Sequence, residues 1–343
     1  MSSAAEAAGP PSTGAGAQPH EIVWALLGGA FAFRALQVVA ELGVADQLGD
    51  DPMDVAALAA ACGASTDGLN RVLRLVADFG VFERLPHDRY RHTGASRALR
   101  GDHPASLRAF CRMHGLPAIQ AAYSHLDHAV LTDFPAFDLV DRRGLFPYLG
   151  DHPDAADIFG HAMTARAAAD IAAIAGGYDF GRFSTIADIG GGRGHLLRAV
   201  LGAAPAAAGI LFDLPDVVAA LRLDDSRITA LAGDFFTDPL PTADAYLLMN
   251  VIHDWPDAEA VAILRAIRQA APAGARVLII ESVLAEDRPD PRGHALDVIM
   301  LAVLGGRQRT MSQFAELLRA ASFGDPAVIG AGGPIQIVEG VTA

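Results

Sequence analysis

TIADIGGGRGHLLRAV, residues 185–200, reads as a strand, a glycine-dense turn and a helix in immediate succession. Gly190, Gly191, Gly192 and Gly194 carry no Cβ, so the backbone there can pass close to a ligand and turn tightly into the helix. Downstream, the strand-like runs AGILFDL, RITALAG, DAYLLMNVI and ARVLIIES alternate with helical stretches. That alternation predicts an α/β domain with a parallel sheet covered by helices on both faces, placed over residues 176–343.

Upstream the pattern differs. Residues 1–19 are Ala, Gly, Pro and Ser with little else, cannot bury apolar area, and are expected to be a disordered tail. Residues 20–103 read as helices followed by a hairpin. Val23–Leu42 has helical period, Val55–Cys62 is a second helix, and Gly68–Phe79 is a third, capped by Asp67 and stopped by Gly80. VFERLPHDRYRHT then alternates like two strands joined at Pro86-His87-Asp88, which completes a winged-helix arrangement. Residues 104–175 are mostly helical, and Phe110, Met113, Phe146, Phe159 and Met163 within them, with Met300 beyond, suggest an apolar slot or plain core.

The 343-residue chain is 52% hydrophobic and 19% charged, enough apolar material for two domains. Its formal net charge of −14 repels phosphate backbones and anionic membranes, so neither nucleic acid nor a membrane is expected as partner. A DNA-binding winged-helix regulator, the reading from another functional class, would need a basic face that this composition does not promise. Ile22–Phe33 is apolar but shorter than the roughly 20 residues a span needs, and it is expected in a core or a subunit interface. Cys62 and Cys111 have no metal-ligand spacing, and no secretory signal is visible, so reduced thiols and a cytoplasmic location are expected.

The glycine turn alone fits nicotinamide, flavin and adenosyl cofactors equally. Asp213, closing the strand in GILFDLPDV, can accept hydrogen bonds from ribose hydroxyls, or cap the helix that follows. Asp234 and Phe235, closing AGDFF, can read an adenine amino group and cover its ring. A complete N-terminal domain precedes the glycine turn, an order that favours S-adenosylmethionine over a dinucleotide. In DAYLLMNVIHDWPDAEAVAILRAIRQA, His253 and Asp254 sit where a strand ends. A neutral imidazole there could take a proton from a hydroxyl group. Glu281, ending ARVLIIE, could hold the tautomer of that imidazole or be an ordinary strand-end acid.

These residues carry a pattern that resembles the plant- and bacterial-type small-molecule O-methyltransferases, which include caffeate and polyketide-antibiotic enzymes. The resemblance runs from about residue 20 to 340 and rests on AELGVADQL, LNRVLRLVADFGVFER, DIGGGRG, GDFF, VIHDWPDAEAVAILR, IIESVL and LDVIMLAVLGGRQRTMSQFAELLRAASF. It implies a Rossmann-like methyltransferase sheet behind a winged-helix dimerisation domain, a homodimer, metal-free chemistry and an aromatic or polyketide acceptor. It implies cofactor contacts at Asp188, Gly190, Gly191, Gly192, Asp213, Leu214, Asp234, Phe235 and Met249. His253 matches the general base, Glu281 the acid that orients it, and Phe159, Met163, Asp254 and Met300 the acceptor pocket. Met249 stands where plant members often carry Lys. Gln308, in GGRQRT, stands where the family usually has a second acid beside the histidine, which should make His253 a weaker base. That departure leaves open a relative that keeps the cofactor but hydroxylates, decarboxylates or closes rings.

Overall fold

The computed structural model describes residues 18–330 and 335–342. The expected tail thus lies, except for its last two residues, outside the described residues. The chain forms two compact units, one drawn from residues up to Pro117 with Asp157–Arg166, the other from Ala118–Ala156 with Ala167 onward. The helical segment 104–175 is therefore shared between them.

The first unit opens with α1 (Pro19–Glu41), whose first turn has Pro at an end position and Glu21 accepting from the Gln18 N–H at 2.9 Å. α2 (Val44–Gln47) follows Gly43, whose φ of 63° makes the bend. β1 (Met53–Asp54) leads into α3 (Val55–Ala61), where Asp54 Oδ1 accepts from the Ala56 N–H at 2.8 Å. α4 (Thr66–Asp78) is capped by the Ser65 hydroxyl, so the expected cap at Asp67 is two residues late; Asp67 lies inside the first turn and pairs with Arg71. β2 (Phe82–Leu85) and β3 (Arg89–His92) form the hairpin, turned by His87 and Asp88 at φ 63° and 51°. β1 adds a third strand on β3, too short to show a period in sequence. Val39, Leu58, Leu73, Phe82 and Tyr90 fill the core.

The second unit is built on an eight-stranded sheet. Its parallel strands are β4 (Thr185–Ile189), β5 (Ala208–Asp213), β6 (Ile228–Ala232), β7 (Ala245–Met249) and β8 (Arg276–Leu284), with short β9 (Arg309–Thr310) beside β8. β10 (Ala327–Gly330) and β11 (Ile335–Val341) close one edge antiparallel, giving the order β10-β11-β8-β7-β4-β5-β6. Alternate residues of the central strands serve opposite faces. Ile186, Leu247, Leu278 and Ile280 pack in one buried layer, Ala187, Ile189, Leu248 and Ile279 in the other. Burial on both faces is why these strands read as continuous apolar runs. β4 is flanked by β5 on one side and β7 on the other, and the carboxyl ends of β4 and β7 meet where the strand order reverses. Open α/β sheets bind ligands at that point.

Candidate active site

The glycine turn follows β4 directly. Gly190 has φ 69° and donates to the Phe212 carbonyl at 2.8 Å. A Cβ on Gly191 would lie 2.8 Å from the Asp188 carboxyl carbon, so only glycine leaves that acid in place. Asp188 is buried, and its Oδ2 has no hydrogen-bond partner among the described residues. Burial first, and then the neighbouring Asp213, push its carboxyl up to about 7. Asp213 ends β5. Its Oδ2 accepts from the Gly192 N–H and its Oδ1 from the Leu214 N–H, both at 2.7 Å, while burial pushes its pKa up. Two desolvated acids against one glycine turn suit a ligand that brings hydroxyl donors and positive charge. S-adenosylmethionine, with ribose hydroxyls, an ammonium and a sulfonium, fits that demand.

The remaining residues expected at the cofactor lie along the same strand ends. Leu214 is exposed between β5 and the helix Pro215–Ala219. Asp234 follows β6, where Gly233 is tightly packed: a Cβ there would meet the Phe212 ring at 2.6 Å. The Asp234 carboxylate accepts from the Phe236 N–H at 2.9 Å, and Phe235 packs edge-on against Trp255 at 5.8 Å. Met249 is the last residue of β7 and half-buried. The next residue, Asn250, has φ 54° and swings the chain into a 3-10 turn, Ile252–Asp254, that carries His253. A Cβ on Gly190 would touch Val251 at 3.1 Å, so the glycine turn and the histidine turn are packed side by side.

His253 is only 3% exposed. Its Nδ1 lies 2.7 Å from Gln308 Nε2, and its Nε2 lies 3.3 Å from Asp254 Oδ1. Glu281, fully buried on β8, accepts from the His253 main-chain N–H at 3.0 Å through Oε1, while its Oε2 has no partner among the described residues. Here the expected geometry needs correction. Glu281 holds the backbone of the turn, and the ring is met by Gln308, the residue that stands in for the usual second acid. The reason is position: β8 continues to Leu284, so Glu281 lies inside the strand instead of ending it, and beside β7 its carboxylate meets the main chain that leaves β7, whereas Gln308 approaches on the loop before β9. Burial pushes the Glu281 carboxyl up to about 7, opposed by the N–H groups of the turn and the charge of Arg309.

A half-turn of the Gln308 amide exchanges its oxygen and nitrogen without altering its shape. With the nitrogen toward the ring, Nδ1 accepts and the proton sits on Nε2. With the oxygen toward the ring, Nδ1–H donates and Nε2 keeps its lone pair. In this second orientation the imidazole can act as a base at Nε2.

Trp255, next to the turn, is stacked by Phe146 at 6.0 Å and 26°. Met300 is buried on the helix Pro291–Val303. Phe159 and Met163 lie on the helix Pro153–Gly177, half-buried, in the portion that belongs to the first unit. Phe110 and Met113 are also in that unit, where Phe110 meets the ring of His114 edge-on at 4.6 Å. Burial holds His114 down at about 4, so it is a neutral ring at physiological pH. His114 and Arg309 did not stand out in the sequence because neither sits in a glycine turn or at the carboxyl end of an obvious strand, and Asn250 did not because the run DAYLLMNVI reads as continuous strand through it.

Residues 123–324 match the O-methyltransferase domain family, and residues 24–102 match the O-methyltransferase dimerisation domain family. The chain is 36% identical to a phenazine O-methyltransferase of Lysobacter antibioticus, with 95% of this chain and 97% of that one covered. It is 36% identical to a mitomycin biosynthesis 6-O-methyltransferase of Streptomyces lavendulae, covering 96% of each. Its fold superposes with a TM-score of 0.78, at 31% identity over 91% of this chain and 96% of the other, on an O-methyltransferase from neocarzinostatin biosynthesis in complex with S-adenosylmethionine and 2-hydroxy-5-methyl naphthoic acid. With the glycine turn, its paired acids and the histidine turn at one sheet switch point, these matches place the chain in the family of S-adenosylmethionine-dependent O-methyltransferases that carry an N-terminal dimerisation domain.

Proposed function

We propose that this enzyme methylates a hydroxyl group of a flat aromatic or polyketide-type small molecule, with His253 as general base. One observation carries the proposal: a buried imidazole, braced at Nδ1 by a neutral amide, on a turn packed against the glycine loop. The acceptor class follows the relatives, whose names specify phenazine and mitomycin, and the naphthoic acid bound in the structural neighbour.

When bound, S-adenosylmethionine supplies an electrophilic methyl group on its sulfonium. Gly190, Gly191 and Gly192 would let it approach the backbone. Asp213 would accept from its ribose hydroxyls, Asp188 would offset its positive charge, and Leu214, Met249, Asp234 and Phe235 would enclose its nucleoside end. A phenol, with a pKa of about 10, is a poor nucleophile until it loses its proton. With the Gln308 oxygen accepting from Nδ1–H, His253 Nε2 takes that proton as the oxygen attacks. Asp254, beside Nε2, then faces the imidazolium. Glu281 fixes the height of the turn by holding its N–H. Met300 would line the acceptor.

We further propose a homodimer through α1. Trp24 and Phe31 on that helix are 70% and 72% exposed in the single chain, and Val23, Leu26 and Leu27 are exposed with them. Such a contiguous apolar patch is costly unless covered. Cys62 and Cys111 are both free thiols, in keeping with a cytoplasmic enzyme.

Mass spectrometry of reactions with S-adenosylmethionine and a panel of phenolic and polyketide aglycones tests the reading. A gain of one methyl group with release of S-adenosylhomocysteine is expected. His253→Ala should lower kcat by about 10²–10⁴ while cofactor binding persists. A gain of one oxygen, or near-normal turnover of the variant, would overturn it.

A further inference from the structure

The loop before β9 does more than deliver Gln308. Its backbone lies so close to the histidine turn that a Cβ on Gly306 would sit 2.1 Å from the His253 carbonyl oxygen. The Arg307 N–H donates to that same oxygen at 2.9 Å. Arg309 then enters β9 paired with Val283 of β8, its side chain completely buried.

A buried guanidinium loses its hydration and must be repaid with acceptors. Arg309 finds its acceptors on the histidine turn. Nη1 donates to the Ile252 carbonyl at 2.9 Å, Nη2 to the Trp255 carbonyl at 2.8 Å, and Nε and Nη2 to Asp257 Oδ1 at 3.0 and 2.7 Å. Ile252 and Trp255 flank His253 and Asp254 on either side. Within itself this stretch has the short bonds of a 3-10 turn, Asp254 N–H to Val251 O at 3.1 Å and Trp255 N–H to Ile252 O at 3.3 Å, and its middle is held from outside by Glu281 at the His253 N–H and by the Arg307 N–H at the His253 carbonyl, which leaves its two ends to Arg309.

We infer that Arg309 is a positioning residue for methyl transfer: its planar fork clamps both ends of the histidine turn and sets the direction in which the His253 ring points. The inference rests on His253 being the base. A lysine could reach one carbonyl but not span two with fixed geometry. Because small errors in the placement of a reacting group are costly, loosening the clamp should lower kcat by about 10–100-fold while leaving the glycine turn and the paired acids of the cofactor site, on β4 and β5, in place.

The test compares wild type with Arg309→Lys and Arg309→Met, all carrying 13Cε1-histidine and saturated with S-adenosylhomocysteine. The His253 cross-peak is assigned by its loss in His253→Ala. In both Arg309 variants that cross-peak should shift and broaden, with S-adenosylhomocysteine affinity within about twofold of wild type and kcat reduced for the best acceptor of the panel. A cross-peak that superimposes on wild type in Arg309→Lys, together with unchanged kcat, overturns the inference. If Arg309→Met fails to fold, Arg309→Lys decides alone. Full turnover by His253→Ala would instead remove the base assignment, and the cross-peak result would still report whether Arg309 orients the ring.

Discussion

At the scale of single residues, the site turns on where charge is absent. The usual acid beside the base is an amide here, so the imidazolium gains no negative neighbour at Nδ1. Restoring the acid with Gln308→Glu should favour the protonated ring and raise its pKa. The acid limb of kcat/KM against pH is therefore expected to move to higher pH, with turnover above the limb intact or higher. An unmoved limb would mean that residue 308 does not reach the ring during catalysis. Asp188 offers a second measurement. Burial and Asp213 hold its carboxyl up at about 7, so near pH 7 a good part of it is protonated in the free enzyme. A cationic ligand favours the carboxylate, so S-adenosylmethionine binding should release protons, and affinity should weaken as pH falls below 7. Calorimetry in buffers of different ionisation enthalpy will show this as a buffer-dependent heat, and buffer-independent heats would dismiss it.

At the scale of elements, the site is a set of strand ends closed by turns. The glycine turn works because Gly191 leaves room for Asp188; a Cβ there would be 2.8 Å from its carboxyl carbon. Gly191→Ala must displace that acid, and should weaken S-adenosylmethionine binding by about tenfold or more, the worth of a charge-assisted contact. Equal affinities by calorimetry would return Gly191 to a purely conformational role. The elements also explain one misreading. Aspartate is a good cap, which places the start of α4 after Asp67 on sequence alone, yet Ser65 is as good and lies two residues nearer the preceding turn, so the helix gains two residues.

At the scale of the whole molecule, α1 has two characters. Its C-terminal half supplies Val39 and Ala40 to the core of the first unit, whereas its N-terminal half presents Trp24, Leu26, Leu27 and Phe31 outward. The helix is long and apolar enough to cross a membrane by composition alone, but Arg34 and Glu41 sit on it and its far half is in a protein core. A second copy of the chain would cover such a face with matching chemistry. Trp24→Glu with Phe31→Glu should convert a dimer into a monomer in analytical ultracentrifugation. A variant that sediments as wild type would place the interface elsewhere.

The sequence by itself determined the parallel strands, the glycine turn and the acids Asp213 and Asp234 at strand ends, because strand periodicity, Cβ-free turns and strand-end acids are local features, readable along the chain; the antiparallel edge of β10 and β11 was not legible there. It also carried enough motifs in order to reveal the family. The tertiary structure alone decided what touches His253. Gln308 and Arg309 are more than fifty residues from it in the chain, and their contacts exist only because β9 pairs with β8 and brings one loop against another. Hydrogen bonds across such a separation leave no periodic trace in a sequence. That is why Glu281 read as the partner of the ring, Gln308 read as a loss, and Arg309 did not stand out.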